Sequence, residues 1–165
     1  MSGYDLELLS DQHDRTAFHC GSEPLDRYLR ETARGHLAKG MSVTRVIVNR
    51  EALPPKPVLG YFTLTTVLAE AVDWPGAARG LPRMPVPVVL LGRLAVAEGA
   101  QEKGIARLLL AAAREIAAAS MRGTGGIGLA VDAADENLVR FYEKYGFRRI
   151  SVRSLRMFLP TSSLC

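Results

Sequence analysis

Cysteine is scarce: the 165 residues hold two, Cys20 and Cys165, too few for a disulfide framework and in keeping with a reducing cytoplasm. Long apolar runs are missing too. The longest, such as residues 88–91 and 108–113, fall far short of the roughly 20 residues that cross a bilayer. The first 11 residues carry acids and no Lys or Arg, so the basic start and apolar run of a secretory signal are lacking. The three histidines (His13, His19, His36) form no H-x-x-x-H pair and have no Cys at ligand spacing, so no metal site is expected. There is no G-x-S-x-G for a hydrolase elbow. There is no G-x-x-x-x-G-K-[ST] loop either. Gly123, Gly125 and Gly128 satisfy G-x-G-x-x-G, but they follow a helical pattern and run into a strand, the reverse of the dinucleotide-binding order. They read as a turn.

What remains is ordinary for one folded domain over 1–165, with 48% hydrophobic and 23% charged residues. At this length folding buries roughly 70% of the unfolded chain's surface. The net charge is +4, and its distribution is uneven. Residues 140–165 hold six basic side chains (Arg140, Lys144, Arg148, Arg149, Arg153, Arg156) against Glu143 alone, which leaves 15 basic against 16 acidic groups elsewhere. A basic region on a neutral body fits an anionic partner; solvated surface charge fits about as well.

Residues 5–9 read as a first strand. Pro24 opens a helix whose Leu25, Tyr28, Leu29, Thr32 and His36 follow the helical rhythm, with Arg27, Arg30 and Arg34 on another face and Gly40 as its stop. Residues 42–48 and 59–67 read as a strand pair joined through Pro54, Pro55 and Pro57. An irregular connection over 74–87 carries Arg79 and Arg83. The apolar run 88–96, holding Arg93, is a strand buried on both faces. A helix over 104–120 follows, with Ile105, Leu108, Leu109, Ala112 and Ile116 on one side, and then a break at 123–126. A strand over 127–131, a helix over 136–145 with Leu138, Phe141, Tyr142 and Tyr145 inward, and strands over 147–150 and 154–159 complete the chain. Arg153 and Arg156 would then face opposite sides of the last strand. The expected class is α+β, with a mixed sheet of about six to seven strands and about four helices.

Residues 101–106 (Gln-Glu-Lys-Gly-Ile-Ala) lie between a buried strand and an amphipathic helix. Gly104 and Ala106 admit close backbone approach, and the first amides of a helix are unpaired, which describes an anion-binding nest. A plain strand-to-helix turn fits the spacing equally.

Gln101-Glu102-Lys103-Gly104-Ile105-Ala106 after Leu94-Ala95-Val96, followed by Asn137 and Phe141-Tyr142-Glu-Lys-Tyr-Gly146-Phe147, resembles the Gcn5-related N-acetyltransferases (GNAT). The Gln/Arg-x-x-Gly-x-Gly/Ala pattern is that family's acetyl-CoA pyrophosphate loop. Phe18-His-Cys-Gly21, Pro24-Leu-Asp-x-Tyr28-Leu29, Leu59-Gly-Tyr-Phe-Thr-Leu64 and Leu91-Gly-Arg93-Leu94 are similar to the acetyltransferase toxins of type II toxin–antitoxin systems. The resemblance implies acetyl-CoA as co-substrate, no metal, and acetylation of the α-amino group of aminoacyl-tRNA, which blocks translation. It further implies a ribbon-helix-helix antitoxin, a homodimer and a cytoplasmic setting.

By the same resemblance, backbone groups of Leu94, Ala95 and Val96 hold the pantetheine arm and polarise the thioester carbonyl. Asn137 matches a position that bonds the arm, although an Asn in a first helical turn also serves as a local cap. Tyr142 matches the tyrosine that protonates the thiolate; its spacing alone fits a core residue. Glu102 places an acid in the pyrophosphate loop, and Ala106 stands where Gly is commoner. No strong base is evident. An α-amine with pKa near 7.7–8.0 is roughly a tenth neutral at pH 7, against less than about 0.1% of a lysine, so an α-amine acceptor suits a site where water or Glu98 takes the proton. Candidate tRNA contacts are Arg27, Arg30, Arg34, Arg79, Arg83, Arg93, Arg148, Arg149, Arg153 and Arg156. Acetylation of a small amine or a protein N-terminus, and a silent acetyl-CoA-binding module, are the competing readings.

Overall fold

The computed structural model describes residues 3–70, 80, 84–160 and 163. Arg79, Arg83 and Cys165 lie outside them. The sheet has seven strands in the order β1 (Tyr4–Leu8), β3 (Val43–Asn49), β5 (Gly60–Glu70), β6 (Pro85–Val96), β7 (Gly128–Asp132), β9 (Arg156–Pro160) and β8 (Arg148–Arg149), with a separate two-stranded pair of β2 (His13–Asp14) and β4 (Lys56–Pro57). The chain divides into two compact units, Met1–Leu64 with Arg93–Ala113 and Thr65–Gly92 with Arg114–Cys165.

In the first unit, β1 (Tyr4–Leu8) pairs antiparallel with β3 (Val43–Asn49), Tyr4 opposite Asn49 and Leu8 opposite Arg45. β3 pairs antiparallel with the start of β5 (Gly60–Glu70), Val43 opposite Leu64 and Ile47 opposite Gly60. The short strands β2 (His13–Asp14) and β4 (Lys56–Pro57) run parallel. Glu7 ties them to β1 by accepting from His13 Nε2 and Lys56 Nζ, each at 2.8 Å. The helix expected from Pro24 to Gly40 is present in three pieces: α1 (Glu23–Arg27), a π-helical turn (Tyr28–Thr32) and α2 (Ala33–Ala38). The Ala33 N–H reaches back to the Tyr28 carbonyl, the i→i−5 bond that inserts one residue into the helical register. Tyr28, Leu29 and Ala33 are buried in one cluster with Leu9, Phe18, Val46, Val48, Val58, Tyr61 and Ala95. Gly60 is required there, since a Cβ would stand 2.9 Å from both the Ala95 carbonyl oxygen and Leu109 Cδ1.

β6 (Pro85–Val96) begins three residues before the expected 88, inside the segment read as an irregular connection. Pro87 has no N–H to leave unpaired, and its carbonyl accepts from Ile127 N–H at 3.0 Å. In the second unit, β6 pairs parallel with β7 (Gly128–Asp132) over residues 89–91, which makes the sheet mixed. β7 pairs antiparallel with β9 (Arg156–Pro160), and the two-residue β8 (Arg148–Arg149) pairs with β9. Val88, Ala130 and Phe158 form a core with Val67, Ala69, Leu90, Ile127 and Ile150.

The helix α3 (Ile105–Thr124) continues through Gly123, where a break was expected. The turn falls on Gly125 and Gly126, whose φ values of +91° and +141° only glycine adopts readily. Gly128 opens β7, so the three glycines form no ligand loop. Arg153 lies in the turn before β9 and not on the strand with Arg156, because residues 151–155 turn the chain between the two strands. Along α4 (Glu136–Glu143) the buried side chains are Val139 and Tyr142, while Leu138, Phe141 and Tyr145 are half-buried. The inward face is thus rotated by one position from the expected one.

Candidate active site

In the first unit the end of β6 leads into the anion loop. The β6–β7 ladder covers residues 89–91 and stops before Leu94. On one edge of β6 the Ala97 N–H donates to the Leu59 carbonyl at 2.9 Å, and the Ala95 carbonyl faces Gly60. Strand alternation turns the amide groups of Leu94 and Val96 to the other edge. This is the edge on which an extended arm can pair.

A single 3₁₀ turn, Glu98–Ala100, follows. Glu102 and Gly104 then take left-handed backbone, φ +67° and +77°, the alternation that turns successive N–H groups into one concavity. Gly104 caps α3, its carbonyl accepting from Leu108 N–H at 3.2 Å. The amides of Ile105, Ala106 and Arg107 therefore have no intrahelical acceptor. Buried Ile105 anchors the loop, while Glu102, Lys103 and Gly104 are exposed. The Glu102 carboxylate is thus free to sit in water away from an anion on the amides.

Residues 18–21 border this strand end. Gln101 Nε2 donates to the carbonyls of Cys20 and Val96 at 3.2 and 3.1 Å, and Glu98 N–H donates to the His19 carbonyl at 2.8 Å. Buried Asp26 accepts from the Cys20 N–H at 2.9 Å, and its other oxygen lies 3.8 Å from Nδ1 of the exposed His19. Nothing in the spacing of His19, Asp26 and Gln101 announces this arrangement; Asp26 alone signals it, as an acid on the buried side of an otherwise apolar helix face. The Cys20 thiol is pushed up to about 11, first by burial and then by Asp26, so it stays protonated and unreactive. Arg93 lays its guanidinium 3.6 Å from the centre of the Tyr28 ring, and the Tyr28 hydroxyl bonds Ser42 Oγ at 2.9 Å and His36 Nδ1 at 3.1 Å.

In the second unit α4 ends in a motif that fixes Tyr142. The Phe147 N–H bonds the Tyr142 carbonyl at 3.3 Å, the Gly146 N–H bonds that of Glu143 at 3.1 Å, and Gly146 has φ +93°. This is a Schellman stop with glycine as its left-handed residue. Phe147 packs edge-on against the Tyr142 ring, centroids 5.5 Å apart, which supplies the usual apolar contact across the stop. Phe-Tyr-x-x-x-Gly-Phe is therefore a helix terminator that seats the tyrosine. Tyr142 is 3% exposed, and its phenol is held well above the ordinary value by burial and secondarily by Asp132. Asn137 is exposed and accepts from Arg140 Nη2. It does not cap α4; Asp135 does, accepting from Leu138 N–H at 2.9 Å.

The arginines are mostly engaged. Arg30 meets Glu23 at 3.1 Å, and Arg27 stands 3.7 Å from Glu23 and 3.9 Å from Glu31. Arg34 pairs with Asp11 and Arg149 with Glu136. Arg156 makes two bonds to Asp132, at 2.7 and 2.9 Å. Arg148 and Arg153 are exposed. Among the described residues no group of three or more His, Cys, Asp or Glu is placed to hold a metal ion.

The acetyltransferase (GNAT) domain description matches residues 60–149. A tRNA-acetylating toxin of Mycobacterium tuberculosis is 33% identical over 163 residues, 96% of this chain and 93% of the relative. A structure of AtaT complexed with acetyl-methionyl-tRNAfMet superposes with a TM-score of 0.88 at 28% identity, covering 98% of this chain and 96% of the other. A mutant AtaT toxin bound to the C-terminus of the antitoxin AtaR and acetyl-CoA gives a TM-score of 0.82 at 26% identity, covering 99% and 96%. With a strand end open to an extended arm, an amide nest at the start of α3 and a matched domain over more than half its length, the chain belongs to the GNAT acetyltransferases.

Proposed function

We propose that this protein is the toxin of a toxin–antitoxin pair, an N-acetyltransferase that moves the acetyl group of acetyl-CoA to the α-amino group of aminoacyl-tRNA and so blocks translation. The observation that carries this reading is similarity over nearly the whole chain to a tRNA-acetylating toxin, well beyond the matched domain. We read residues 1–165 as one N-acetyltransferase domain, a reading that the same extent supports.

Acetyl-CoA supplies an activated thioester. The amides of residues 102–106 suit its pyrophosphate, with the exposed Lys103 adding charge. Backbone groups of Leu94 and the Val96 N–H align the pantetheine arm and polarise the carbonyl, with Asn137 as a further partner of the arm. The Ala95 carbonyl, expected to share this task, faces Gly60 instead, and the Val96 carbonyl is held by Gln101. Tyr142 gives its proton to the departing thiolate. Burial raises the phenol, and it raises a thiolate's basicity for the same reason, so the donor and acceptor remain matched. Arg27, Arg30, Arg34, Arg93, Arg148, Arg149 and Arg153 bind the RNA backbone. The carboxylates on several of them are weak competitors, since exposed ion pairs are worth about 0–1 kcal/mol.

An antitoxin silences the enzyme, by a ribbon-helix-helix protein in our reading, and the toxin acts as a cytoplasmic homodimer. Among the described residues no helix is long and apolar enough to cross a membrane. The test is to incubate the protein with labelled acetyl-CoA and charged tRNA, beside deacylated tRNA, free amines and peptides. Label on charged tRNA alone is the expected result. Label on amines or peptides instead, or acetyl-CoA binding with no transfer to any of them, defeats the reading.

A further inference from the structure

Gln101 occupies the first position of the loop pattern, where a contact to the cofactor's phosphates is implied. A primary amide nitrogen has two hydrogens, and here both are spent: Nε2 donates to the Val96 carbonyl at 3.1 Å and to the Cys20 carbonyl at 3.2 Å. The backbone N–H is turned to the Glu98 carbonyl at 3.4 Å. Neither donor of Gln101 is left for a phosphate oxygen. We propose that Gln101 is a positioning residue, which clamps residues 18–21 to the end of β6 and thereby sets the place of the acceptor amine, without contacting the cofactor's phosphates.

The clamped segment belongs to the α1 side of the first unit. Phe18 is buried, with its ring 5.5 Å from that of Tyr61. Its carbonyl accepts from Arg30 Nη1 at 3.5 Å, and the Cys20 N–H is held by Asp26. Each of these bonds fixes main chain, so what the clamp presents to solvent is the His19 side chain, 65% exposed and backed by the Asp26 carboxylate. One nitrogen joins the two carbonyls, which places Cys20 and Val96 oxygens within about 6 Å of each other. Given the proposed function, on which this inference rests, that is the end of the strand holding the thioester. The amides of 102–106 and the N–H groups of Leu94 and Val96 take no part in the clamp, which uses the Val96 and Cys20 carbonyls, so donor binding does not depend on it.

Gln101→Met keeps the length of the side chain and removes both donors, while Gln101→Arg restores donors able to reach both carbonyls. In Gln101→Met the KM for aminoacyl-tRNA should rise about tenfold with the acetyl-CoA Kd, by calorimetric titration, within about twofold of wild type. Gln101→Arg should recover most of that loss. Amide hydrogen exchange at Glu98 and Cys20 should accelerate in Gln101→Met and return in Gln101→Arg. A tenfold weaker acetyl-CoA Kd with an unmoved acceptor KM overturns the proposal, and so does unchanged exchange at both amides. A wild-type protein that acetylates no aminoacyl-tRNA defeats the proposed function separately, and acetyl-CoA titration with exchange still decides the clamp.

Discussion

Tyr142 and Glu7 show how far single side chains determine what is measured. If Tyr142 supplies the proton for the thiolate, Tyr142→Phe removes one hydroxyl from a buried ring and leaves the contact with Phe147 in place. Turnover should fall on the order of 10²-fold, the scale of general acid catalysis, with acetyl-CoA affinity and melting temperature nearly unchanged; equal turnover in wild type and variant would remove Tyr142 from the mechanism. Glu7 acts on stability instead. Hydrogen bonds from Lys56 and then His13 hold its carboxyl below the ordinary value. A carboxyl depressed in the folded state stabilises above its unfolded pKa and loses that contribution as pH falls through the folded value. Glu7→Gln should therefore cost about 1–2 kcal/mol at pH 7, measured by urea unfolding. The gap between variant and wild type should close as the pH falls below the ordinary carboxylate range and through the lowered folded value.

Elements follow local rules that a sequence states openly at some places and hides at others. The stop of α4 is explicit in Gly146 and Phe147, and Gly40 closes the first helix with φ +72° as its position implies. Gly146→Ala places an alanine at φ +93°, while its Cβ meets only Leu159 Cδ1 at 3.4 Å, an ordinary contact. The cost is thus backbone strain of about 1 kcal/mol. Because that stop seats Tyr142, turnover should drop along with the melting temperature; a loss of stability with full turnover would separate the stop from the site. Gly128→Ala is of another kind, since its Cβ would lie 2.5 Å from the Leu159 carbonyl oxygen and must push two paired strands apart. The π-helical turn at Tyr28 was not legible, because an i→i−5 register is decided by what Tyr28 packs against and leaves no mark in an i, i+3, i+4 pattern. The one-position rotation of α4 has a similar cause: Val139 is as apolar as Leu138, and only the packed sheet chooses between them. The clamp by Gln101 was out of reach as well, since its partners are backbone carbonyls, which every residue has.

At the scale of the whole molecule, charge is the property most directly set by composition, yet net charge misjudges what RNA meets. The basic excess of residues 140–165 is real, but Arg156 is committed to Asp132 and Arg149 to Glu136, which leaves Arg140, Lys144, Arg148 and Arg153 exposed. A cation already bound by a carboxylate releases no counterion from RNA unless that pair opens, so the salt dependence of tRNA binding counts the groups engaged. With about five engaged groups, raising salt from 50 to 200 mM should weaken aminoacyl-tRNA binding on the order of 10²-fold. Arg148→Ala with Arg153→Ala should lower the affinity and flatten the slope by about two groups, with unfolding unchanged. Arg156→Gln should instead leave the slope nearly as it was and destabilise the second unit, because it strands Asp132 beside β9 without its two hydrogen bonds. Filter binding across a salt series, paired with thermal melts of the same variants, separates the two kinds of arginine; a steeper loss of slope in Arg156→Gln than in the double variant would reverse their assignment.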